Sequence, residues 1–187
     1  QLKYDGGIGD LSRKIAPFKL IGIRLAEADS HDLTRYGTPV QNEEDWEKQY
    51  IQVKAEDVTI GSVFHIMPEG LLPDPVTGEG GTPHLLEEKA KAAVILIRLD
   101  ENIIASQKQR GWGYNGIVAY SKICTHVGCP ISLYEQTTHH VLCPCHQSTF
   151  DLADSANVVF GPAARRMPQL PITVDDEGYI VARSDFA

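Results

Sequence analysis

Basic side chains are in short supply: 17 Lys and Arg stand against 25 Asp and Glu, a formal net charge of −8. Phosphate binding needs a basic face, so this balance argues against nucleic acid as a partner. It fits a soluble protein, or an acidic surface meeting a basic partner. Long apolar runs are missing as well. The longest, residues 18–25 and 92–99, fall well short of the ~20 residues that span a bilayer. No basic start leads into an apolar core, as a secretory signal would. The chain opens on Gln1 rather than Met, and the expectation is a processed form or the excised soluble part of something longer. Repeats and low-complexity tracts are absent. Cysteine is scarce: four in 187 residues. What remains is ordinary for a folded chain, 42% hydrophobic and 22% charged, at a length that suits one domain with room for a small subdomain.

Along the chain, residues 1–48 mix a Gly-rich start, the run FKLIGIRL and a long polar excursion. FKLIGIRL reads as a strand or a short helix. From Tyr50 the pattern turns to β. YIQVKAEDV and GSVFHIM read as short strands with a turn near Gly61. PEGLLPDPVTGEGGTP is punctuated as a loop, and Thr82-Pro83 can cap a short helix, HLLEEKAKA. AVILIRL is a buried strand. The Asn115-Gly116 pair between apolar flanks is a strong hairpin signal. NVVFGP, LPITVD and YIVAR supply later strands, with Gly178 placed for a turn. The cysteine region is therefore an insertion at one end of a mostly antiparallel β structure.

All four cysteines lie in two stretches, CTHVGCP at 124–130 and CPCHQSTF at 143–150, each with one histidine, His126 and His146. That makes six candidate ligands where a tetrahedral metal needs four. A zinc finger sets two Cys on a hairpin and two His on a helix, but here Cys and His alternate within each loop. A thioredoxin-like site needs two residues between its cysteines, and CPC has one. A plant-type [2Fe–2S] centre needs four Cys at another spacing, whereas a Rieske centre takes two Cys on one iron and two His on the other.

The paired boxes CTHVGC and CPCHQS resemble those of Rieske [2Fe–2S] iron–sulfur proteins. They are most similar to the iron–sulfur subunit of cytochrome bc-type quinol–cytochrome c reductases, because Cys129 and Cys145 match an extra pair that Rieske ferredoxins and ring-hydroxylating oxygenases normally lack. The wording KICTHVGCP, CPCHQSTFD and FGPAA is most similar to the menaquinol-oxidising actinobacterial branch. The resemblance covers residues 121–166 in detail. It implies a mostly β fold: an antiparallel β sandwich or barrel base over 49–120 and 167–187, a small cluster-binding subdomain over 121–166, and an N-terminal extension, 1–48, of uncertain structure. It implies that Cys124 and Cys143 ligate the inner iron of a [2Fe–2S] cluster, that His126 and His146 ligate the outer iron, and that Cys129 and Cys145 form a disulfide joining the loops. A disulfide points to an oxidising compartment, and closing a loop of about 15 residues is worth roughly 3 kcal/mol in the entropy model.

Two ferric ions, two sulfides, two thiolates and two neutral imidazoles sum to zero charge, so such a cluster accepts an electron more readily than a four-thiolate one. Each ligating imidazole keeps a distal nitrogen that can carry a proton. The implied activity is that of an oxidoreductase subunit in a respiratory chain. It takes one electron and a proton from a quinol, here menaquinol, with His146 hydrogen-bonding it, and passes the electron to a c-type haem. The implied partners are cytochrome b and c-type cytochrome subunits. The implied place is the extracytoplasmic face of a bacterial cytoplasmic membrane, with an anchor in the full-length protein. Ser148 matches the serine whose hydroxyl bonds a bridging sulfide. Phe150 stands where many ubiquinol-oxidising relatives carry tyrosine, and the missing hydroxyl implies a lower potential. Gly161-Pro162-Ala163-Ala164 stands where the family has a Gly-Pro-x-Pro loop, with Ala164 for the second proline. Gly128 suits a backbone turn.

Two other classes fit part of the pattern: a free Rieske carrier serving an oxygenase or another oxidase, against which the cysteine pair speaks, and a zinc-stabilised interaction module. His139 and His140 read as exposed loop residues, and His31, His65 and His84 the same. Arg165 and Arg166 read as solvated surface. TGEGGTP lacks the Lys-Ser/Thr ending of a phosphate loop.

Overall fold

Val94, Ile95, Leu96 and Ile97 are apolar without alternation, which suits a strand covered on both faces. In the computed structural model they are fully buried. The structure describes residues 18–24, 51–68 and 91–187. All but Pro68 of the expected loop over 68–83, most of the expected helix over 84–92, His31 and the polar stretch before Tyr50 lie outside the described residues.

The described strands are β1 (Phe18–Arg24), β2 (Ile51–Gln52), β3 (Val63–Pro68), β4 (Val94–Arg98), β5 (Ile117–Ser121), β6 (Leu133–Glu135), β7 (His140–Leu142), β8 (Thr149–Asp151), β9 (Asn157–Phe160), β10 (Ile172–Val174) and β11 (Ile180–Ala182), with a short helix α1 (Gln107–Gly111) before β5. A large antiparallel sheet has the order β10-β11-β1-β3-β4-β5, and β2 pairs with β1. The chain entering β10 bonds back to β5 (Leu170 N–H to Ala119 O, 2.8 Å; Ser121 N–H to Pro168 O, 2.9 Å), which curls the sheet on itself. FKLIGIRL is a strand rather than a helix. β1 pairs with β3 along five residues and with β11 and β2 on its other edge, so part of the 1–48 stretch belongs to the large sheet.

Side-chain alternation divides the interior in two. Phe64, Ile66, Val94, Leu96, Ile117 and Ala119 face a core closed by Leu170, Ile172, Ile180 and Ala182. Val63, Ile95, Ile97, Val118 and Tyr120 face the other way, onto Tyr134, Val141, Cys143, Phe150 and Cys124. This second core is roofed by an antiparallel sheet, β6-β7-β8-β9, spanning 133–160 within the stretch expected to bind the cluster. The protein is thus mostly β, with a small sheet inserted between β5 and β10 of a larger one.

The Asn115-Gly116 turn is present, with φ of 45° and 79° and reciprocal bonds between Tyr114 and Ile117 at 2.9 and 2.8 Å. It caps one residue pair rather than a full hairpin, because α1 occupies the chain just before it. Gln109 of α1 is buried and fully used. Its Nε2 donates to the Tyr120 hydroxyl and the Leu152 carbonyl, both at 2.6 Å, and its Oε1 accepts the Ser155 N–H at 2.9 Å. Ser155 and Ala156 have φ of 55° and 51°, a left-handed pair that residues with a Cβ rarely adopt. The amide of Gln109 supports the first of them from the neighbouring element.

Three histidines differ from expectation. His65 is 4% exposed, with Nδ1 at 3.1 Å from the Lys122 ammonium. Burial, then the Lys122 charge, hold its proton affinity well below the usual range. His139 is half-buried with Nδ1 3.0 Å from the Tyr134 hydroxyl, and burial pushes that phenol up to about 12. His140 is half-buried, Nε2 lying 4.0 Å from Asp151 Oδ2 across β7 and β8.

Candidate metal centre

Both cysteine stretches are tight loops at strand ends, and they share one backbone pattern. The Cys124 N–H donates to the Cys129 carbonyl (2.8 Å), and the Gly128 N–H returns to the Cys124 carbonyl (3.0 Å). In the second loop the Cys143 N–H donates to the Ser148 carbonyl (2.8 Å), and the Gln147 N–H returns to the Cys143 carbonyl (2.9 Å). The fifth residue of each loop has positive φ, 89° at Gly128 and 61° at Gln147. Gly128 accepts this without a Cβ penalty, as expected. Gln147 holds the same position as a non-glycine, a role that sequence reasoning missed. Superposing the two boxes on their first cysteines would have revealed it.

Equal loops present their side chains differently. Cys129 and Cys145 are joined by a disulfide, with Cα atoms 6.6 Å apart. Cys124 and Cys143 remain unbridged thiols, 2% and 1% exposed. His126 and His146 are exposed, their rings edge to face with centroids 4.7 Å apart. The structure thus brings the two histidines together at the surface and leaves two thiols beneath. The sulfur of Cys143 also lies within 4.8 Å of both disulfide sulfurs, but the bond between Cys129 and Cys145 withdraws those two from ligation.

Burial pushes the Cys124 thiol above its ordinary range, as does the neighbouring Cys143, while the His126 backbone amide and the Ser148 hydroxyl draw it down. Two thiols side by side in an apolar core are poor hosts for negative charge unless a cation neutralises them. The donor set therefore fits a metal group that takes soft sulfur ligands on its buried side and imidazoles on its exposed side.

A third loop closes the site. Gly161 has φ of 90°, and a Cβ there would lie 2.6 Å from Ser148 Cα and 2.8 Å from Ser148 N. The Ala163 N–H donates to Ser148 Oγ at 3.1 Å, which leaves that hydroxyl's own hydrogen for the sulfurs. Thr125, between Cys124 and His126, donates its hydroxyl to the Arg165 carbonyl, tying the first loop to the third. Thr125 and Ala163 lie within the motifs read above, but nothing in the sequence announces these two bonds. Ala164, Arg165 and Arg166 are exposed, and Phe150 is buried in the shared core. Among the described residues no helix is long and apolar enough to cross a membrane.

A family model described as the Rieske [2Fe-2S] domain matches residues 86–171. Over 134 residues the chain is 56% identical to the cytochrome bc1 complex Rieske iron-sulfur subunit of Streptomyces lividans, covering 72% of this chain and 75% of that one. The subunit of the same name from Corynebacterium efficiens is 44% identical over 148 residues, covering 73% of this chain and 36% of that one. The chain therefore spans most of the first relative but little more than a third of the second. The solved soluble domain of the Rieske protein II from Sulfolobus acidocaldarius is 26% identical, with a TM-score of 0.39 over 50% of this chain and 62% of that one.

Proposed function

The chain belongs to the Rieske [2Fe–2S] family, and on that premise we propose that it is the cluster-bearing part of the iron–sulfur subunit of a quinol–cytochrome c reductase. It takes one electron and a proton from a quinol and passes the electron to a c-type cytochrome. The observation that carries this reading is the sorting of the six Cys and His residues: two thiols buried, two imidazoles exposed, two cysteines bonded to each other. Cys124 and Cys143 would hold the inner iron and His126 and His146 the outer one. When bound, the cluster supplies a one-electron acceptor whose mixed ligation raises its potential above that of plant-type ferredoxins.

This chain's residues do the rest. His146, exposed and next to His126, offers its remaining ring nitrogen to the quinol hydroxyl and receives the proton there. His126 forms the other half of the same exposed edge, so a haem or a quinol reaches the site through the imidazoles. The disulfide and the Gly161–Arg165 loop exclude water from the sulfur side. Ser148, held by the Ala163 amide, aims a donor at the sulfurs, which favours the added electron. The partners are cytochrome b and a c-type cytochrome, and the working place is the extracytoplasmic face of a bacterial membrane, reached through an anchor in the full-length protein. The names of the actinobacterial relatives support these partners.

A potentiometric titration followed by electron paramagnetic resonance tests the reading. Reduction should produce a rhombic signal, and the midpoint should fall with rising pH as the imidazoles lose their protons. A low midpoint, flat between about pH 6 and 10, would count against direct quinol oxidation.

Menaquinol is a stronger reductant than ubiquinol, so it can still reduce an acceptor of lower potential. Phe150, fully buried in β8, suits such a donor by bringing no hydroxyl to the sulfurs. Phe150→Tyr should raise the midpoint by about 60 mV, taking ~1.5 kcal/mol for one hydrogen bond to a charged group and 59 mV per ~1.4 kcal/mol for one electron. An unchanged or lower midpoint removes this argument for menaquinol.

A further inference from the structure

Three cysteine sulfurs crowd one spot: Cys143 Sγ lies within 4.8 Å of both Cys129 Sγ and Cys145 Sγ, which are bonded to each other. The ligand role proposed above makes no use of this closeness. From 4.8 Å, an approach of about 1 Å brings sulfur to van der Waals contact with sulfur. A thiolate that reaches a disulfide attacks it and exchanges partners. We propose that the cluster-free chain rearranges its own disulfide, Cys143 displacing Cys145 from Cys129, and that ligation of Cys143 is what keeps the Cys129–Cys145 pairing in place. The inference rests on the Rieske reading of the site only for the identity of the group that occupies Cys143.

The step needs no outside oxidant or reductant. As the cluster-free loop opens to water, Cys143 gives its proton to solvent, and its sulfur forms a bond to Cys129 Sγ. The Cys129–Cys145 bond breaks, its electron pair leaves on Cys145 Sγ, and that thiolate takes a proton from solvent. The direction follows from the surroundings. Cys145 is exposed and Cys129 half-buried, so water stabilises the departing Cys145 thiolate. Attack on Cys145 instead would close a ring across the single residue Pro144, whose φ is fixed. A Cys143 sulfur bound to iron has its charge and lone pairs engaged and cannot attack. The exchanged chain no longer offers Cys124 and Cys143 as a pair of thiols. Loss of the cluster thus leaves the ligand pair broken until Cys145 attacks back or a reductant reopens the new bond.

The test starts from purified protein whose iron content and visible spectrum are recorded. Iron is then removed by chelation under argon, without reductant, and free thiols are alkylated before peptide mapping by mass spectrometry. The expected result is loss of the Cys129–Cys145 peptide, appearance of Cys129–Cys143, and alkylation of Cys145. Persistence of Cys129–Cys145 alone in the iron-free chain overturns the proposal, and Cys143–Cys145 with alkylated Cys129 overturns its direction. Two variants that cannot build the normal ligand set separate exchange from general unfolding. Cys143→Ser should keep the Cys129–Cys145 bond, whereas Cys124→Ser, which retains the attacking sulfur, should lose it; the same pairing in both overturns the role of Cys143. A starting preparation without iron would speak against the Rieske reading, while the mapping still decides the exchange.

Discussion

The double variant Cys129→Ser/Cys145→Ser is expected to unfold about 6–12 °C below the parent chain. The bonded residues are 16 apart in sequence, and a closed loop of that size is worth about 3 kcal/mol of lost unfolded-state entropy. For a chain of 187 residues, each kcal/mol moves the melting temperature by about 2–4 °C. Both cysteines are replaced together because a single change would leave a thiol next to Cys143. Each loop keeps its own pair of backbone bonds, from Cys124 to Cys129 and from Cys143 to Ser148. Local loop shape should therefore survive, while the loops lose the covalent tie between them. Thermal melts followed in parallel by far-ultraviolet circular dichroism and by visible absorption separate two roles. If the bond only staples the chain, both signals shift together. If it also shields the sulfur side, colour is lost at a temperature where the β signal is intact. An unchanged melt would show that the third loop alone holds the site closed.

What could be read beforehand, and what could not, divides along sequence distance. The ligand candidates were legible because their logic is local: Cys124 and His126 are two residues apart, Cys143 and His146 three, and each set sits in one tight loop. β4 was legible for a similar reason, since unbroken apolar character over Val94 to Ile97 leaves few alternatives to a strand buried on both faces. FKLIGIRL could not be decided between strand and helix, because a short apolar run fits either period. Pairing with β3 on one edge and β11 on the other settles it, and those partners lie far along the chain. The same holds for His65 and Lys122, 57 residues apart. Nothing at either position announces that two nitrogen bases share a buried site, so His65 was misread as exposed. The ties of the third loop, Thr125 to Arg165 and Ala163 to Ser148, span 40 and 15 residues and had no signal either. The Gly161-Pro162 pair marked a loop of the site only through the resemblance. Its physical reason, a backbone packed against Ser148, emerges from the geometry.

That packing makes Gly161→Ala the second large expected effect. At φ of 90° an alanine is strained whatever the space around it, and here there is none: the added Cβ would lie 2.6 Å from Ser148 Cα, 2.8 Å from Ser148 N and 2.9 Å from the Gln147 carbonyl oxygen. All three are backbone atoms of the second cysteine loop, so no side chain can swing aside. The cost is about 1–2 kcal/mol for the left-handed residue and about 1–3 kcal/mol for the overpacking. The cheaper response is for the third loop to lift away, and that breaks the Ala163 N–H bond to Ser148 Oγ. The serine hydroxyl then loses its orientation, and the sulfurs lose a fixed donor. The midpoint of the bound cluster should fall by about 60 mV, the equivalent of one hydrogen bond to a charged group. Ser148→Ala is the matched control: it removes the donor and the Ala163 bond without forcing a Cβ against the second loop, so it should lower the midpoint by a similar amount with a smaller loss of stability. A Gly161→Ala protein with the parent's melting temperature and midpoint would mean that the third loop does not press on Ser148 at all. A protein destabilised at an unchanged midpoint would mean that the loop supports the fold, and that Ser148 keeps its aim without it.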